Sequence, residues 1–183
     1  MSTPTSEQSA DRVSALLAQA KAASGGRLLA LHHDLARSPA TLAAYLGLRR
    51  AGADYATLEP AVRAAIMLTV GAVDGGQYSQ AIATQLALGT GMSIDQTVAV
   101  RAGQVDDSRT AALLAVMREA AANTGVVAQA TRDTAIAAGW RDEQLYEAFV
   151  HLALTVYCDY FTNFADTTLD VPPAPPIPGG GER

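Results

Sequence analysis

The sequence predicts an all-α protein, and three observations support this fold class. Hydrophobic residues make up 49% of the 183 residues but aromatic residues only 5%, and most of the hydrophobic ones are alanine and leucine, which favour helices. In the longer segments, apolar residues recur at intervals of three and four, which is the period of an amphipathic helix. No segment alternates apolar and polar residues over a useful length, so no strand is predicted.

Glycine, proline and capping residues divide the chain into successive helical segments. Ser38-Pro39 places a proline at the first position of a helix, where the missing N–H costs no hydrogen bond. Ser93 and Gln96 have the spacing of a capping box, which satisfies two amide donors at a helix start. Glycines mark where several of the helices stop. We therefore predict helices over residues 6–23, 27–36, 39–52, 60–72, 77–88, 94–102, 108–122, 129–138 and 142–164.

The helical segments suggest one domain with two different ends. Residues 1–25 form an N-terminal helix or arm, and residues 26–170 form the helical domain. Residues 171–183 read VPPAPPIPGGGER, and so many prolines and glycines favour a mobile or extended tail over a helix. The alternative is that this tail lies across a neighbouring subunit.

Charge and cysteine usage exclude several classes of protein. The formal net charge of −5 provides no basic field for a phosphate backbone, so we expect no nucleic-acid partner. Cys158 is the only cysteine, which excludes an internal disulfide and fits a reducing compartment. Residues 1–11 lack the pattern of a secretory signal, and charged or polar residues interrupt every apolar run. We expect a cytoplasmic protein without a membrane span, a metal or a cofactor.

Two stretches of the chain resemble one known superfamily. Residues 58–93, LEPAVRAAIMLTVGAVDGGQYSQAIATQLALGTGMS, resemble the core helical hairpin of the carboxymuconolactone decarboxylase and alkylhydroperoxidase D superfamily. Residues 147–172, EAFVHLALTVYCDYFTNFADTTLDVP, resemble the final helix and exit segment of its peroxidase-related members. The resemblance extends over residues 27–172. It implies an alkylhydroperoxidase D-like helical bundle built around a core helical hairpin, and a homo-oligomer, either a trimer or a hexamer.

The reactive positions of that superfamily are changed in this chain. Peroxidase members carry Glu, eleven residues, Cys-x-x-Cys, three residues and His, and this spacing falls here on Ala64, Gly76, Ser79 and Ala83. Peroxide reduction needs a thiolate nucleophile, which none of these residues supplies. Decarboxylase members are expected to place their Glu and His at the same positions. The resemblance therefore implies a divergent member without dithiol peroxidase chemistry.

The altered positions leave two interpretations open. Gly76, Ser79 and Ala83 share one helical face, so they either allow another helix to pack closely or enlarge a cavity for a bulkier ligand. His151 and Asp159 belong to a polar stripe on the otherwise apolar last helix, and burying such groups without partners is costly. If the cavity persists, its candidate polar residues are Tyr78, Gln80, His151, Asp159 and Tyr160.

His32 and His33 form a second cluster. Adjacent helical residues point about 100° apart, so the pair cannot readily bind one metal ion. One of the pair could enter the cavity as an acid or base, with a surface or capping role as the alternative, and His33 is our candidate for a substrate contact. Cys158 lies among apolar neighbours, as a small buried hydrophobic residue does.

These observations lead to three hypotheses about function. In the first, a non-redox enzyme of the lyase, isomerase or cyclase type acts on a small organic molecule, with Tyr78, His151 and Asp159 transferring protons. In the second, the chain is a non-catalytic ligand-binding or scaffold pseudoenzyme. In the third, relocated residues retain decarboxylase or peroxidase activity. Substrate contacts in the first hypothesis come from Gly76, Ser79, Gln80, Ala83, Tyr160 and His33.

Overall fold

The computed structural model describes residues 6–178 and confirms the all-α fold class, with no strand in that range. The predicted helices are all present, with ends that differ from the predictions by a few residues. The helices of residues 6–178 are α1 (Ser6–Ala23), α2 (Ala30–Leu35), α3 (Pro39–Asp54), α4 (Pro60–Asp74), α5 (Gln77–Gly89), α6 (Ile94–Ala102), α7 (Ser108–Ala122), α8 (Gln129–Ala137) and α9 (Asp142–Ala165).

Local capping explains where the helices begin. At α6, Ser93 N–H donates to Gln96 Oε1 (2.7 Å) and Gln96 N–H donates to Ser93 Oγ (3.2 Å), which confirms the predicted capping box. Helix α2 starts three residues later than predicted because Leu29 is extended, and its N–H donates to Nδ1 of His32 instead of continuing a helix towards residue 27. Side-chain capping thus shortens α2 to six residues.

Helix α4 is the centre of the bundle. It packs against α5, α6, α7 and α9, while α9 also packs against α3, and α3 against α1 and α2. One apolar cluster surrounds α4, α7 and the first half of α9, and a second joins α1, α2 and α3 to Tyr78, Leu154 and Cys158. None of the helices in residues 6–178 combines the length and apolarity that a membrane span requires.

The chain after α9 returns across the bundle as a C-terminal segment, residues 167–178. Asp166 ends α9 in the left-handed region (φ 50°). Farther along, Asp170 accepts from Ala30 N–H (2.9 Å) and from Tyr78 Oη–H (2.8 Å), and the guanidinium of Arg27 donates to its carbonyl. The described part of the predicted tail, residues 171–178, forms neither helix nor strand, and its Pro175 carbonyl accepts from Arg101 Nη2. Residues 179–183 lie outside the described residues.

Candidate functional site

A cavity of about 730 Å³ lies between α3, α4, α5 and α9. This volume is within the range of pockets that hold small organic ligands. Most of its wall is apolar, including Met67, Ile82 and Leu154, while Val171 and Pro172 of the C-terminal segment form part of its edge. The arrangement leaves room for an organic molecule between the helices of the core.

Ala64, Gly76, Ser79 and Ala83, the four positions singled out by the sequence resemblance, are divided between this cavity and the packed core. Ala64 and Ser79 line the cavity. Ala83 is fully buried in the apolar core cluster and does not line the cavity. Gly76 is also buried, at the start of α5. Both interpretations of this helical face therefore apply, each to part of it.

Gly76 makes room for the carboxylate of Asp159. A Cβ atom on Gly76 would lie 1.7 Å from Oδ1 and 2.0 Å from Cγ of Asp159, far closer than atoms can approach. Because no side chain fits at residue 76, the carboxylate on α9 reaches the first turn of α5. The small residue at the start of α5 thus admits an acid from α9.

Asp159 is a buried acid without hydrogen-bond partners among the described residues. Its side chain is fully buried, and neither carboxylate oxygen accepts a hydrogen bond. Burial raises the pKa of this carboxyl to about 7, with Asp74 adding to the rise and the nearby Ser79 hydroxyl opposing it. Ser79 approaches without hydrogen-bond geometry, and its own hydroxyl is also unpaired. Ser79 lines the cavity, whereas Asp159 lies next to Ser79 and outside the lining.

His151 lies two turns earlier on α9 and lines the cavity directly. The side chain is 5% exposed, and Nε2 is buried without a partner. Burial lowers the pKa of this imidazole, the nearby guanidinium of Arg63 lowers it further, and Glu147 opposes both. His151 is therefore neutral at neutral pH and available to accept a proton.

The predicted polar stripe of α9 is buried along its length. The Thr155 hydroxyl donates to the carbonyl of His151 (2.8 Å), and the Thr162 hydroxyl donates to the carbonyl of Cys158 (2.8 Å). Both threonines are thus satisfied within their own helix. The unpaired polar atoms of the stripe belong to His151 and Asp159, which are eight residues and about 12 Å apart along the axis.

Tyr78 lines the cavity but its hydroxyl is engaged elsewhere. Tyr78 Oη donates to Asp170 Oδ1 (2.8 Å) and accepts from Leu31 N–H (3.4 Å). Burial and the bond to Asp170 raise the pKa of the phenol well above its usual value. In this arrangement Tyr78 joins α5 to the C-terminal segment, and its proton is held by Asp170.

Three further predicted site residues do not line the cavity, in addition to Gly76, Ala83 and Asp159. Gln80 Oε1 accepts from Arg101 Nη1 (3.2 Å), on the side of α5 that faces α6. Tyr160 is 69% exposed on the outer face of α9, next to the exposed Phe164. His33 is exposed on α2. The structure therefore does not bring Gln80, Tyr160 or His33 together with His151 and Ser79.

The neighbour of His33 is the buried histidine. His32 is fully buried, its Nδ1 accepts from Leu29 N–H (3.0 Å), and its Nε2 lies 3.4 Å from Tyr45 Oη. Burial lowers the pKa of His32 to about 4, and the guanidinium of Arg49 contributes to the decrease. This imidazole is a neutral group that caps α2 and supports Tyr45, which lines the cavity.

Three arginines of the cavity wall were missed by the sequence reasoning: Arg27, which is exposed and paired with Asp170, and Arg49 and Arg63. Arg49 donates to Ser24 Oγ (3.0 Å), Tyr45 Oη (3.2 Å) and the Ala23 carbonyl (2.6 Å). Arg63 donates from Nη1 to the Gly52 carbonyl (3.0 Å). The available signal for Arg63 was its isolation, because it is the only basic residue of the apolar helix α4.

Within residues 6–178, no group of three or more His, Cys, Asp or Glu side chains is arranged to hold a metal ion. Cys158 lines the cavity, and burial, with a contribution from Asp159, raises the pKa of its thiol to about 12. At neutral pH it is a protonated thiol.

Comparison with known proteins supports the fold. The chain is similar to the structure of the debrominase Bmp8 without ligand, with 15% identity over 92% of this chain and 91% of that one and a TM-score of 0.73. It is also similar to a cysteine-to-alanine variant of Bmp8 in complex with 2,3,4-tribromopyrrole, with 15% identity over 92% and 90% of the two chains and a TM-score of 0.74. No family model and no curated protein matches the sequence.

Proposed function

We propose that this chain is a divergent member of the carboxymuconolactone decarboxylase and alkylhydroperoxidase D superfamily and a non-redox enzyme acting on a small organic molecule. One observation carries the proposal: a cavity of ligand size is lined by the His151 imidazole and the Ser79 hydroxyl, with the Asp159 carboxyl next to Ser79 outside the lining, and all three groups are buried with polar atoms that have no hydrogen-bond partner. Leaving such groups unpaired is costly unless a ligand or the chemistry uses them.

The two groups suit proton transfer at two points of one substrate. Neutral His151 accepts a proton from the bound molecule. Asp159 supplies one through the Ser79 hydroxyl, which first turns into hydrogen-bond geometry with the carboxyl and then passes on its own proton and takes the proton of Asp159. Exchange with solvent afterwards removes the proton from His151 and restores the one on Asp159. With a pKa of about 7, Asp159 is close to half protonated at neutral pH. Removing a proton at one atom and adding one at another gives an isomerisation, or an elimination when a leaving group receives the second proton.

Two further observations support a non-redox reaction on a small ring compound. The sequence has a single cysteine, so it has no dithiol to oxidise, and its thiol is protonated at neutral pH. A protein with a similar fold, the debrominase variant, is seen in complex with 2,3,4-tribromopyrrole. We infer by analogy that the cavity of this chain encloses a ring of comparable or larger size.

A second candidate function is an oligomeric scaffold. Tyr160 and Phe164 are 69% and 89% exposed, and together with Phe161 and Val156 they form an apolar strip on the outer face of α9. Exposed apolar strips of this kind favour protein contacts. We propose that this face supports a homo-oligomer, which is compatible with either function.

Hydrogen exchange at carbon tests the enzyme proposal without knowledge of the final product. The protein is incubated in D₂O with ketones, lactones and enols built on five- and six-membered rings, and deuterium incorporation is followed by NMR. We expect catalysed exchange for at least one compound class, and we expect it to be lost in His151→Gln and Asp159→Asn. Asp106→Asn, which removes the same charge from an exposed loop, is the matched control.

Two outcomes would contradict the enzyme proposal. Binding of these compounds without exchange in any of them would favour a ligand-binding protein. Exchange that persists in both His151→Gln and Asp159→Asn would show that other groups transfer the proton.

A further inference from the structure

We propose that the cavity is selective for organic anions, taking a small apolar body with one acidic group, such as a ring carboxylate, and that Arg63 is the residue that binds the acidic group. The inference rests on the proposed function only in using the same cavity. It is carried by the charges of the cavity wall.

The wall of the cavity carries positive charge that no carboxylate of the wall balances. Its lining residues include Arg27, Arg49 and Arg63, but no aspartate or glutamate. Arg27 is exposed and paired with Asp170 in the C-terminal segment. Arg49 and Arg63 form no ion pair within the described residues. Two partly buried guanidinium groups thus face a largely apolar space without a counter-ion.

Arg63 has the greater capacity for a ligand. A guanidinium group has five N–H donors, and in Arg63 one nitrogen donates to the Gly52 carbonyl while the buried Nε has no partner. In Arg49, by contrast, both terminal nitrogens donate to neutral oxygen atoms of α1, α3 and the residue after α1. Arg49 therefore holds the wall together, whereas Arg63 retains unused donors.

The unpaired atoms next to Arg63 point to the same ligand chemistry. His151, 5% exposed and with Nε2 unpaired, lies close enough to Arg63 to feel its charge. A carboxylate bound there accepts hydrogen bonds from the guanidinium, which are stronger than bonds between neutral groups. The rest of the ligand must be apolar, because Ala64, Met67 and Leu154 line the same cavity.

Matched pairs of compounds isolate the charge. Binding of ring carboxylates and of their primary amides, such as benzoate and benzamide or cyclohexanecarboxylate and its amide, is measured by titration calorimetry. Each pair has nearly the same shape, so a preference within a pair reports the acidic group. We expect carboxylates to bind roughly tenfold more tightly than their amides, as loss of a charge-assisted hydrogen bond implies.

Variants then assign the preference to one residue. Arg63→Gln should remove it, Arg63→Lys should retain part of it, and Arg50→Gln, which removes a charge from an exposed position of α3, should leave it intact. Circular dichroism establishes that each variant is folded. If Arg63→Gln does not fold, Arg63→Lys still tests the assignment.

The outcomes separate this inference from the proposed function. Three results would overturn it. These are equal binding of carboxylates and amides, a carboxylate preference that survives in Arg63→Gln, and no detectable binding of any compound. Exchange of deuterium into neutral ring compounds would leave the enzyme proposal standing in each of these cases. Failure of that exchange together with a strong carboxylate preference would instead leave an anion-binding protein.

Discussion

The buried carboxyl of Asp159 should make the folded protein less stable as the pH rises. Its pKa is about 7 in the folded protein, against an unfolded value of 3.8. Below pH 3.8 the group is protonated in both states, so it imposes no penalty. Between pH 3.8 and 7 the unfolded chain loses the proton while the folded chain keeps it, so the stability falls throughout this window and levels off above it. Asp159→Asn keeps the shape of the side chain and removes this dependence.

The expected size follows from the shift in pKa. One pKa unit corresponds to roughly 1.4 kcal/mol, so a shift of about three units costs roughly 4 kcal/mol above pH 7. At pH 5 less than half of this cost has accumulated. Relative to Asp159→Asn, the unmodified protein should therefore lose roughly 2–3 kcal/mol of unfolding free energy between pH 5 and pH 8. Such a difference is a large fraction of the stability of a typical domain.

Urea unfolding followed by circular dichroism at pH 5, 6, 7 and 8 measures this difference. All other ionisable groups are common to the two proteins, so their contributions cancel to first order in the comparison. Asp106→Asn serves as the matched control because it removes a carboxylate from an exposed loop. We subtract the unfolding free energy of Asp159→Asn from that of the unmodified protein at each pH. A difference that stays constant from pH 5 to pH 8, or that rises with pH, would refute the assignment of Asp159 as a buried, unpaired acid.

Two other substitutions test contacts around the cavity. Gly76→Ala should lower the unfolding free energy by about 1–3 kcal/mol because its Cβ would overlap the Asp159 carboxylate, and Asp159→Ala in the same chain should recover much of the loss. The control in urea unfolding is Gly89→Ala, because nothing lies within 4 Å of the added Cβ atom. Equal losses of unfolding free energy at the two glycines would contradict the close approach of Gly76 to Asp159. Tyr78→Phe removes the hydroxyl that holds the C-terminal segment and should cost about 2 kcal/mol; unchanged hydrogen-exchange protection of residues 167–177 would argue against that role.

The helices could be predicted from sequence because their signals are local. The capping box at Ser93 and the proline at residue 39 act within one helical turn, and both operate in the structure as expected. Helix α2 differed at its start because its cap is an imidazole, His32, which is an unusual capping group. Such a cap depends on a side-chain orientation that the residue type alone does not specify.

The candidate site was only partly predictable because it is assembled from distant residues. His151, Ser79 and Tyr78 were placed in the cavity by helical spacing and by the superfamily resemblance. Spacing cannot, however, choose between adjacent residues. His33 was proposed as a substrate contact, but it is exposed, and its neighbour His32 is the buried histidine. Likewise, Tyr160 is exposed although its neighbour Asp159 is buried.

Arg63 was missed for a different reason. A charged residue near the start of a helix is usually solvated, and the sequence around it does not show that α3 and α9 close over it. It donates to the Gly52 carbonyl of α3 and lies near His151 of α9, which are 11 residues before it and 88 after it in the chain. Contacts between residues so far apart in sequence are a property of the assembled bundle.

The bonds to Asp170 have a consequence for how the protein is made. They join residues separated by 140 and 92 positions, and Asp170 follows every helix of residues 6–165 in the chain. Contacts of such high sequence separation form late in folding, because a long loop must close first. On the ribosome, the helices can therefore collapse before the edge of the cavity exists, and a nascent chain halted before residue 170 would present an open groove to chaperones and proteases.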